Sequence, residues 1–347
     1  MDTASKDVLF TIAKDLDLPS LLRWCQSDPK INKRVCNNPD VWRIRLMNDY
    51  PEGYPDYKIF NLKKSLRETY VFLYQLSYIK KLLYSKENLH DIFLREEINL
   101  SRNKLKKVPA FDLPNLKVLN LSDNKLTELP TFNLPNLIKL FISDNSLTKV
   151  SLKLPMLQVL SLSRNKLTEI SLDTPNLEKL DLAANHLKIL PELNLPKLKE
   201  LIISYNRLTS VPKFNTSNLL KLHLEHNNLN KIPDFDYPNL EMLSLANNEL
   251  VSVPNFNLPN LKGLDISHNR LTSLPPFNLP HLNRFYSHSN KLTTIPDFHF
   301  PNISVIYLLD NNLSDEEKQK IETKYSRLTE EHRKRERLFH LTRPINV

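Results

Sequence analysis

The chain has 347 residues and a formal net charge of +9, with 40% hydrophobic and 25% charged residues. This length allows two or three structural units, and this composition is typical of folded proteins, which excludes a wholly disordered chain. The excess of basic residues is spread along the chain and forms no basic stripe, so no nucleic-acid partner is expected.

The beginning of the chain carries no sign of export. The N-terminal sequence MDTASKDVLF lacks a basic segment followed by a long apolar core, and no apolar run elsewhere is long enough to cross a membrane. Cys25 and Cys36 are the only cysteines, too few for a disulfide framework. We therefore expect a cytoplasmic or nuclear chain with no membrane partner.

Apolar residues at helical spacing predict four short helices in residues 1–46. The residues that indicate these helices are, in turn, Leu9 and Leu16, Leu21 and Leu22, Ile31 and Val35, and Val41 and Trp42. The segment has more apolar residues than so small a unit needs for its own core. Part of this apolar surface is therefore expected to contact something else.

Two stretches of this segment, Asp7-Val8-Leu9 and Asn38-Pro39-Asp40-Val41-Trp42, resemble the F-box. The resemblance implies that residues 1–46 form a helical domain that docks a Skp-type adaptor of a cullin–RING ubiquitin ligase. The residues it implies at the adaptor contact are Val8, Leu9, Ile12, Leu16, Leu18, Leu21, Leu22, Val41 and Trp42. In the alternative interpretation these helices only cap the repeats that follow. A cap would bury the apolar surface of residues 8–42, whereas an adaptor-binding domain would leave part of it exposed.

Residues 47–94 are predicted to form an aromatic-rich helical connector without a glycine- or serine-rich linker. Its apolar residues at helical spacing are Tyr70, Phe72, Leu73, Tyr74, Leu76 and Ile79.

From residue 95 the pattern LxLxxNxL recurs eleven times, at steps of 20 or 21 residues. Its asparagines are Asn103, Asn124, Asn145, Asn165, Asn185, Asn206, Asn227, Asn248, Asn269, Asn290 and Asn311. In each copy two apolar residues alternate with other residues, as Leu119 and Leu121 do, which predicts a short strand with one buried face. Copies in the same phase stack into a parallel sheet with a continuous core.

This pattern resembles the leucine-rich repeat over residues 95–313. The resemblance implies an α/β solenoid of eleven short parallel strands with a mostly extended or 3₁₀ convex side. Prolines such as Pro130 and Pro135 also oppose a regular helix on the return path.

Two columns of the repeat are predicted to be structural. The asparagines should bond backbone groups of their own loop and the next, which would otherwise be unsatisfied. A recurring aromatic position should form a buried spine, with the residues Phe111, Phe132, Phe214, Phe235, Phe256, Phe277 and Phe298.

Residues 314–347 are predicted to form a helical cap over the last repeat. The sequence Ser314-Asp315-Glu316-Glu317 matches a capping box, which would begin the helix. The few apolar residues that follow are Ile321, Tyr325, Leu328, Leu338 and Phe339.

Binding information is expected between the leucines, on the concave face of the solenoid. The first five repeats present mostly small or singly charged residues there, whereas the last six present aromatic, histidine and methionine side chains, which are typical of a protein contact. The predicted partner-binding residues are Phe141, Ile202, Tyr205, His223, Glu225, His226, Met242, His268, Tyr286, His288 and Tyr307.

The histidines do not predict a metal site. His226 and His268 lie two strands apart, about 10 Å, which is too far for one Zn²⁺ with bonds of about 2 Å. No phosphate-binding glycine loop and no nucleophile elbow occurs in the sequence. No catalytic residue, metal or cofactor is therefore predicted.

The two resemblances together imply the substrate-recognition subunit of a cullin–RING ubiquitin ligase, which would not itself be an enzyme. Its helices would dock the adaptor, and its repeats would hold a protein substrate. The alternative is a non-enzymatic interaction scaffold. The regularity of the repeats suggests recent duplication, which would fit a large DNA virus, with the chain acting in the host cell.

Overall fold

The computed structural model describes residues 9, 12–13, 15–27, 29–50 and 65–325. The backbone divides into two compact units. The first comprises Met1–Leu100, Pro109–Lys117 and Pro130–Leu134, and the second comprises Ser101–Val108, Val118–Leu129 and Pro135–Val347. Among the described residues, none of the helices is long and apolar enough to cross a membrane. The boundaries predicted at residues 46, 94 and 313 stay predictions.

Short helices build the first unit. They are α1 (Leu18–Ser27), α2 (Pro29–Ile31), which continues as a π-helical turn (Asn32–Cys36), α3 (Pro39–Asp49), α4 (Leu66–Leu82) and α5 (Leu89–Leu94), and the strand β1 (Glu97–Asn99) follows. Asn38 caps α3 by accepting a hydrogen bond from the Asp40 N–H, and Pro39 occupies the first turn. Ser65 and Glu68 cap α4 reciprocally. Three of the four helices predicted in residues 1–46 therefore form, and the first, indicated by Leu9 and Leu16, lies only partly within the described residues.

The side chain of Arg45 is buried at the centre of the first unit, only 5% exposed. Its Nη1 donates to the carbonyl oxygens of Ala13 and Leu16, at 2.8 and 2.7 Å. Its Nη2 donates to the Tyr70 hydroxyl at 2.9 Å, and that hydroxyl donates to Asp49. Burial, together with the bond to Asp49, raises the pKa of Tyr70. This network joins the backbone at Ala13 and Leu16 to α3 and α4.

A disulfide joins Cys25 of α1 to Cys36, with Cα atoms 6.0 Å apart. The indole Nε1 of Trp42 donates to the Cys36 carbonyl at 2.8 Å and fixes the same turn to α3. A single bridge is not a disulfide framework, and the spacing of the two cysteines does not predict it. The two cysteines come together because α1 and the π-helical turn pack side by side.

Parallel strands build the second unit. They are β2 (Val118–Asn120), β3 (Lys139–Phe141), β4 (Lys149–Lys153), β5 (Val159–Ser161), β6 (Glu169–Asp173), β7 (Lys179–Asp181), β8 (Glu200–Ile202), β9 (Lys221–His223), β10 (Met242–Ser244), β11 (Gly263–Asp265), β12 (Arg284–Tyr286) and β13 (Val305–Tyr307). With β1, a strand therefore forms at each of the eleven predicted positions. In this unit the main sheet runs in the order β2-β3-β5-β7-β8-β9-β10-β11-β12-β13. Equivalent residues pair, as Leu243 pairs with Leu264, so the buried leucines form one continuous row.

The asparagine column is structural, as predicted, but its side chains reach back to the preceding repeat. Oδ1 of Asn206 accepts from the Leu187 N–H at 3.0 Å, and its Nδ2 donates to the carbonyl oxygens of Leu182 and Ile203 at 3.0 and 3.1 Å. Only Ile203 belongs to its own loop. The prediction of bonds to the next loop was therefore wrong for the side chain, whereas the backbone N–H of Asn185 does donate forward, to Tyr205.

The residue before each asparagine has a left-handed backbone, although none of these residues is glycine. Their φ angles lie between 52° and 61°. The residues are Arg102, Asp123, Asp144, Arg164, Ala184, Tyr205, His226, Asn247, His268, Ser289 and Asp310. We call this position the left-handed slot. A left-handed conformation costs a non-glycine residue roughly 1–2 kcal/mol, so every repeat carries local strain.

The return paths are mostly extended, and two of them form strands. β4 and β6 pair in parallel in the two repeats that have only 20 residues. There Ser151 and Ser171 occupy the position that Pro130 has in the second repeat, which frees a backbone N–H for pairing. The aromatic spine is interrupted at these repeats. Leu193 interrupts it as well. Stacked pairs form between Phe111 and Phe132 at a centroid distance of 5.9 Å, and Phe277 stacks between Phe256 and Phe298 at 5.6 and 5.8 Å.

The helix α6 (Asp315–Lys324) follows the last strand. Ser314 caps it by accepting from the Glu317 N–H at 3.2 Å. The Glu317 carboxylate accepts from the Ile295 N–H at 3.4 Å, so only half of the predicted capping box forms. Ile321 and Tyr325 are buried, and Lys324 donates to the Phe298 carbonyl at 3.0 Å. The predicted apolar residues Leu328, Leu338 and Phe339 lie outside the described residues.

Candidate partner-binding face

The strands of the second unit have one buried and one accessible face. In each strand the central residue is buried, and the two flanking residues point to the other side, where most are partly exposed. We call the accessible side of the main sheet, from β2 to β13, the open face; the separate pair β4 and β6 is not part of it. All eleven predicted partner-binding residues lie on it or at the left-handed slots along its edge, and none is fully buried.

Five of these residues form one group on β8, β9 and the loops after them. This group, the His–Glu cluster, consists of Ile202, Tyr205, His223, Glu225 and His226. Ile202 and His223 are register neighbours, and His223 Nδ1 lies 3.7 Å from Glu225 Oε1. The rings of Tyr205 and His226 stack with centroids 4.1 Å apart. Burial alone would raise the pKa of Glu225, but the hydrogen bond from His223 and a backbone contact together hold it below the ordinary value.

Four residues form a second group on β12, β13 and the neighbouring loops. This group, the tyrosine cluster, consists of His268, Tyr286, His288 and Tyr307. Tyr286 and Tyr307 are register neighbours with ring centroids 5.3 Å apart. His288 contacts His268 at 5.0 Å and Tyr307 at 5.7 Å between centroids. The cluster therefore offers a set of adjoining rings that are only partly covered by the protein itself.

Met242 lies between the two clusters, and Phe141 lies apart from both. The Met242 side chain rests on Gly263, where a Cβ atom would come within 2.6 Å of the thioether sulfur. Phe141 pairs with Asn120 and Ser161 in register. It is three strands from Ile202, or about 14 Å. The structure therefore groups nine of the eleven predicted residues and separates Phe141 from them.

Two cations on the open face did not enter the predicted set. Lys221 begins β9 and Arg284 begins β12, and both are exposed. The sequence signal that could have found them is the charge pattern along the strand starts. One cation at a strand start, Lys179, faces a carboxylate one repeat away, Glu200, at 2.9 Å. Among the described residues, neither Lys221 nor Arg284 has such a carboxylate within 4 Å.

The predicted adaptor-contact residues are distributed between the interior and the surface of the first unit. Five are buried, and they are Leu9, Leu18, Leu21, Val41 and Trp42. Ile12 is 43% exposed, and Leu16 and Leu22 are half-buried. Leu22 lines a depression of about 370 Å³ beside Arg67 and Val71 of α4. Val8 lies outside the described residues. The adaptor contact stays a prediction, and the accessible part of this surface is Ile12, Leu16 and Leu22.

Histidine, a common metal ligand, is frequent on the open face. Within the described part of the chain, no group of three or more histidine, cysteine, aspartate or glutamate side chains is arranged to hold a metal ion. His268 and His288 meet ring to edge, at an interplanar angle of 79°. This arrangement is a contact between rings, which packing alone explains.

The family model described as Leucine Rich repeats (2 copies) matches residues 96–134, 114–154, 175–216 and 238–279. No curated protein matches the chain at a significant level.

Several solved structures are similar to this chain. The functional domain of InlJ from Listeria monocytogenes is 25% identical, with a TM-score of 0.54, and the match covers 63% of this chain and 53% of that one. A chain of the Toll–Spatzle complex from Drosophila is 24% identical, with a TM-score of 0.53, and the match covers 62% of this chain and 35% of that one. A leucine-rich-repeat protein of Leptospira interrogans is 27% identical with a TM-score of 0.40, and the match covers 70% and 84%.

The repeat pattern, the parallel sheet with its asparagine column and the family matches lead to one conclusion: the chain contains leucine-rich repeats that form a solenoid of parallel strands.

Proposed function

We propose that the chain binds a protein partner on the open face of β8 to β13 and that it is not itself an enzyme. The observation that carries this proposal is the pair of ring-rich groups, the His–Glu cluster and the tyrosine cluster, on the accessible side of the sheet. Neither cluster is needed for the core, which the leucines and phenylalanines on the other side fill. Tyrosine is one of the residue types that dominate the binding energy of protein interfaces.

The dimensions of the face are adequate for such a partner. Six neighbouring strands at about 4.8 Å spacing extend over roughly 24 Å. With the loops on both sides, this surface can provide the approximately 800 Å² per partner that a standard interface buries.

A capture experiment tests the proposal. The full chain and a variant with His223→Ala, Tyr286→Ala and Tyr307→Ala would be used as baits in cells. We expect proteins recovered with the wild type to be lost with the variant. A matched control carries Ile189→Ala and Val251→Ala, two residues that are 72% and 56% exposed away from the open face. Equal recovery with all three baits, or no specific recovery with the wild type, would contradict the proposal.

We propose as a finer role that the chain is the substrate-recognition subunit of a cullin–RING ubiquitin ligase. The support is the resemblance of residues 1–46 to the F-box, together with the accessible apolar surface at Ile12, Leu16 and Leu22. This role implies a cytoplasmic or nuclear location, where the Cys25–Cys36 disulfide would be expected to be reduced. The alternative is an interaction scaffold in which the same helices cap the repeats.

A single charge in the first unit distinguishes these two roles. Ile12→Glu places a carboxylate on the accessible apolar surface of the predicted adaptor contact. The control, Met47→Glu, places a carboxylate on α3 at a residue outside that contact, where Met47 is 51% exposed. The ligase role predicts that a Skp-type adaptor and a cullin are recovered with the wild type and with Met47→Glu but not with Ile12→Glu. Absence of the adaptor from the wild-type sample would exclude the ligase role and leave the scaffold.

A further inference from the structure

A depression of about 510 Å³ lies at the edge of the open face where β9 to β12 begin. Lys221, Met242 and Arg284, the first residues of three of these strands, line it together with Glu241 and Lys262. Along the sheet, the depression spans the strands between the His–Glu cluster and the tyrosine cluster, at the end where those strands begin, so a partner that covers the open face from β8 to β13 also borders it. Its chemistry therefore constrains the partner.

The charges in the depression do not balance. Glu241 pairs with Lys262 at 2.7 Å, which leaves Lys221 and Arg284 without a carboxylate partner among the described residues. At the same strand position as Lys221 and Arg284, Lys179 of β7 is paired with Glu200 of β8 at 2.9 Å. An unpaired cation on a surface is ordinary, but two of them flanking one concavity form a site that favours an anion.

Gly263 of β11 makes room for Met242, which lines the depression. The chain has only 2 glycines, and the φ of Gly263 is not positive, so the backbone does not require glycine at this position. A Cβ atom there would lie 2.6 and 2.7 Å from the Met242 sulfur and methyl carbon. The glycine therefore allows the Met242 side chain to lie close to the neighbouring strand.

We propose that this depression binds an acidic segment of the protein partner. The inference rests on the proposed function and specifies the partner's chemistry. Lys221 and Arg284 are three strands apart, about 14 Å. An extended chain that crosses the strands advances about 3.4 Å per residue, so two carboxylates about four residues apart reach both cations. Arg284 can bind its carboxylate through two parallel N–H groups, and Lys221 binds as a point charge.

The surroundings favour carboxylates over a nucleic-acid backbone. Glu241 lies inside the depression, and Asp265 points from the same strand as Gly263 onto the open face. These two carboxylates would repel a continuous row of phosphates, which requires many neutralising cations. A peptide places its charges singly and can pass both carboxylates with neutral residues.

Selection from a displayed library of random twelve-residue peptides on the immobilised full chain tests this proposal. We expect the enriched peptides to carry two acidic residues about four positions apart. The double variant Lys221→Glu/Arg284→Glu should weaken binding of the enriched peptides at least tenfold, and Lys221→Gln/Arg284→Gln should have a smaller effect. The control Lys213→Glu, an exposed lysine on a return path, should have none. Circular dichroism of each variant checks that the fold is retained.

Each other outcome overturns the inference in a recognisable way. Enriched peptides without acidic residues, whose binding depends on Tyr286 and Tyr307, would sink the acidic-segment proposal and leave the proposed function standing. Failure to enrich any peptide over a blank surface would count against both. Tight binding of a twenty-nucleotide single-stranded DNA that the Lys221→Glu/Arg284→Glu variant loses, without acidic peptides in the selection, would replace the peptide with a nucleic acid.

Discussion

The ring of Tyr205 stacks on the imidazole of His226, with centroids 4.1 Å apart and planes 13° from parallel. Both residues occupy the left-handed slot of consecutive repeats, with φ angles of 56° and 55°. The same backbone conformation therefore presents two rings in the same orientation one strand apart. The stack is a product of the repeat geometry, and it is accessible, because Tyr205 is 55% exposed.

A double-mutant cycle on this pair should show coupling. Tyr205→Ala, His226→Ala and the double variant are expected to give an interaction term of about 0.5–1.5 kcal/mol in the free energy of unfolding. Denaturant titration measures it. The control cycle pairs Tyr205 with His268, three repeats away, and should be additive within about 0.5 kcal/mol. A Tyr205–His226 term no larger than the control would mean that the rings do not stack in solution.

Removal of one member of the asparagine column should destabilise the second unit. Asn206→Ala leaves the Leu187 N–H without the partner that it has at 3.0 Å, whereas the Leu182 carbonyl keeps its second donor, Asn185. Because the Leu187 N–H is buried, we expect a loss of about 1–3 kcal/mol in the free energy of unfolding. Asn194→Ala, which removes an exposed asparagine between repeats, should change stability by less than about 0.5 kcal/mol. Similar losses for both variants would refute the structural role of the column.

Glycine at a left-handed slot should stabilise the solenoid. Ala184 has a φ of 54°, so Ala184→Gly removes a left-handed backbone penalty of roughly 1–2 kcal/mol from the folded state. The glycine also stabilises the unfolded state by roughly 0.5–1 kcal/mol through its greater chain entropy. The expected result is a net gain of about 0.5–1 kcal/mol in thermal or chemical unfolding. The adjacent Ala183, whose φ is not positive, provides the matched control, and Ala183→Gly should destabilise. If both glycines destabilise, the strain is smaller than inferred.

The buried guanidinium of Arg45 should be essential to the first unit. Arg45→Met keeps much of the apolar stem but leaves the Ala13 and Leu16 carbonyls without their donor, which we expect to cost about 2–4 kcal/mol. Trp24 and Trp42 both belong to this unit and are the chain's only tryptophans, so their fluorescence reports its unfolding. Arg43→Met, which breaks an exposed pair with Asp40, should cost less than about 1 kcal/mol. Equal effects would show that the network is dispensable.

The solenoid could be predicted from the sequence because one short pattern dictates each coil. Alternation places Leu119 and Leu121 on one side of a strand, and an equal step places the next pair beside them. The exceptions also have visible causes: the strands β4 and β6 appear where Ser151 and Ser171 replace proline. A comparison of repeats at that position could have predicted them.

Other features depend on contacts between distant segments and could not be predicted. Nothing in the spacing of Arg45 distinguishes it from an exposed helix arginine, since its partners come from residues 29 and 32 positions earlier. The pairing of Cys25 with Cys36 requires the packing of α1 against the π-helical turn. On the open face, the repeat register predicts which side chains are neighbours. The contacts between rings and the unpaired charges of Lys221 and Arg284 depend on the positions of the surrounding loops, which the register does not specify.

The absence of glycine from the left-handed slots has a consequence for how this surface can evolve. The backbone penalty there is nearly the same for arginine, tyrosine, histidine or serine, since it arises at Cβ. Exchange among these residues therefore changes what the edge of the face presents and leaves the stability of the coil almost unaffected. Eleven such positions let recognition diverge between copies while folding stays constant, and a family of duplicated genes could acquire different partners with one scaffold.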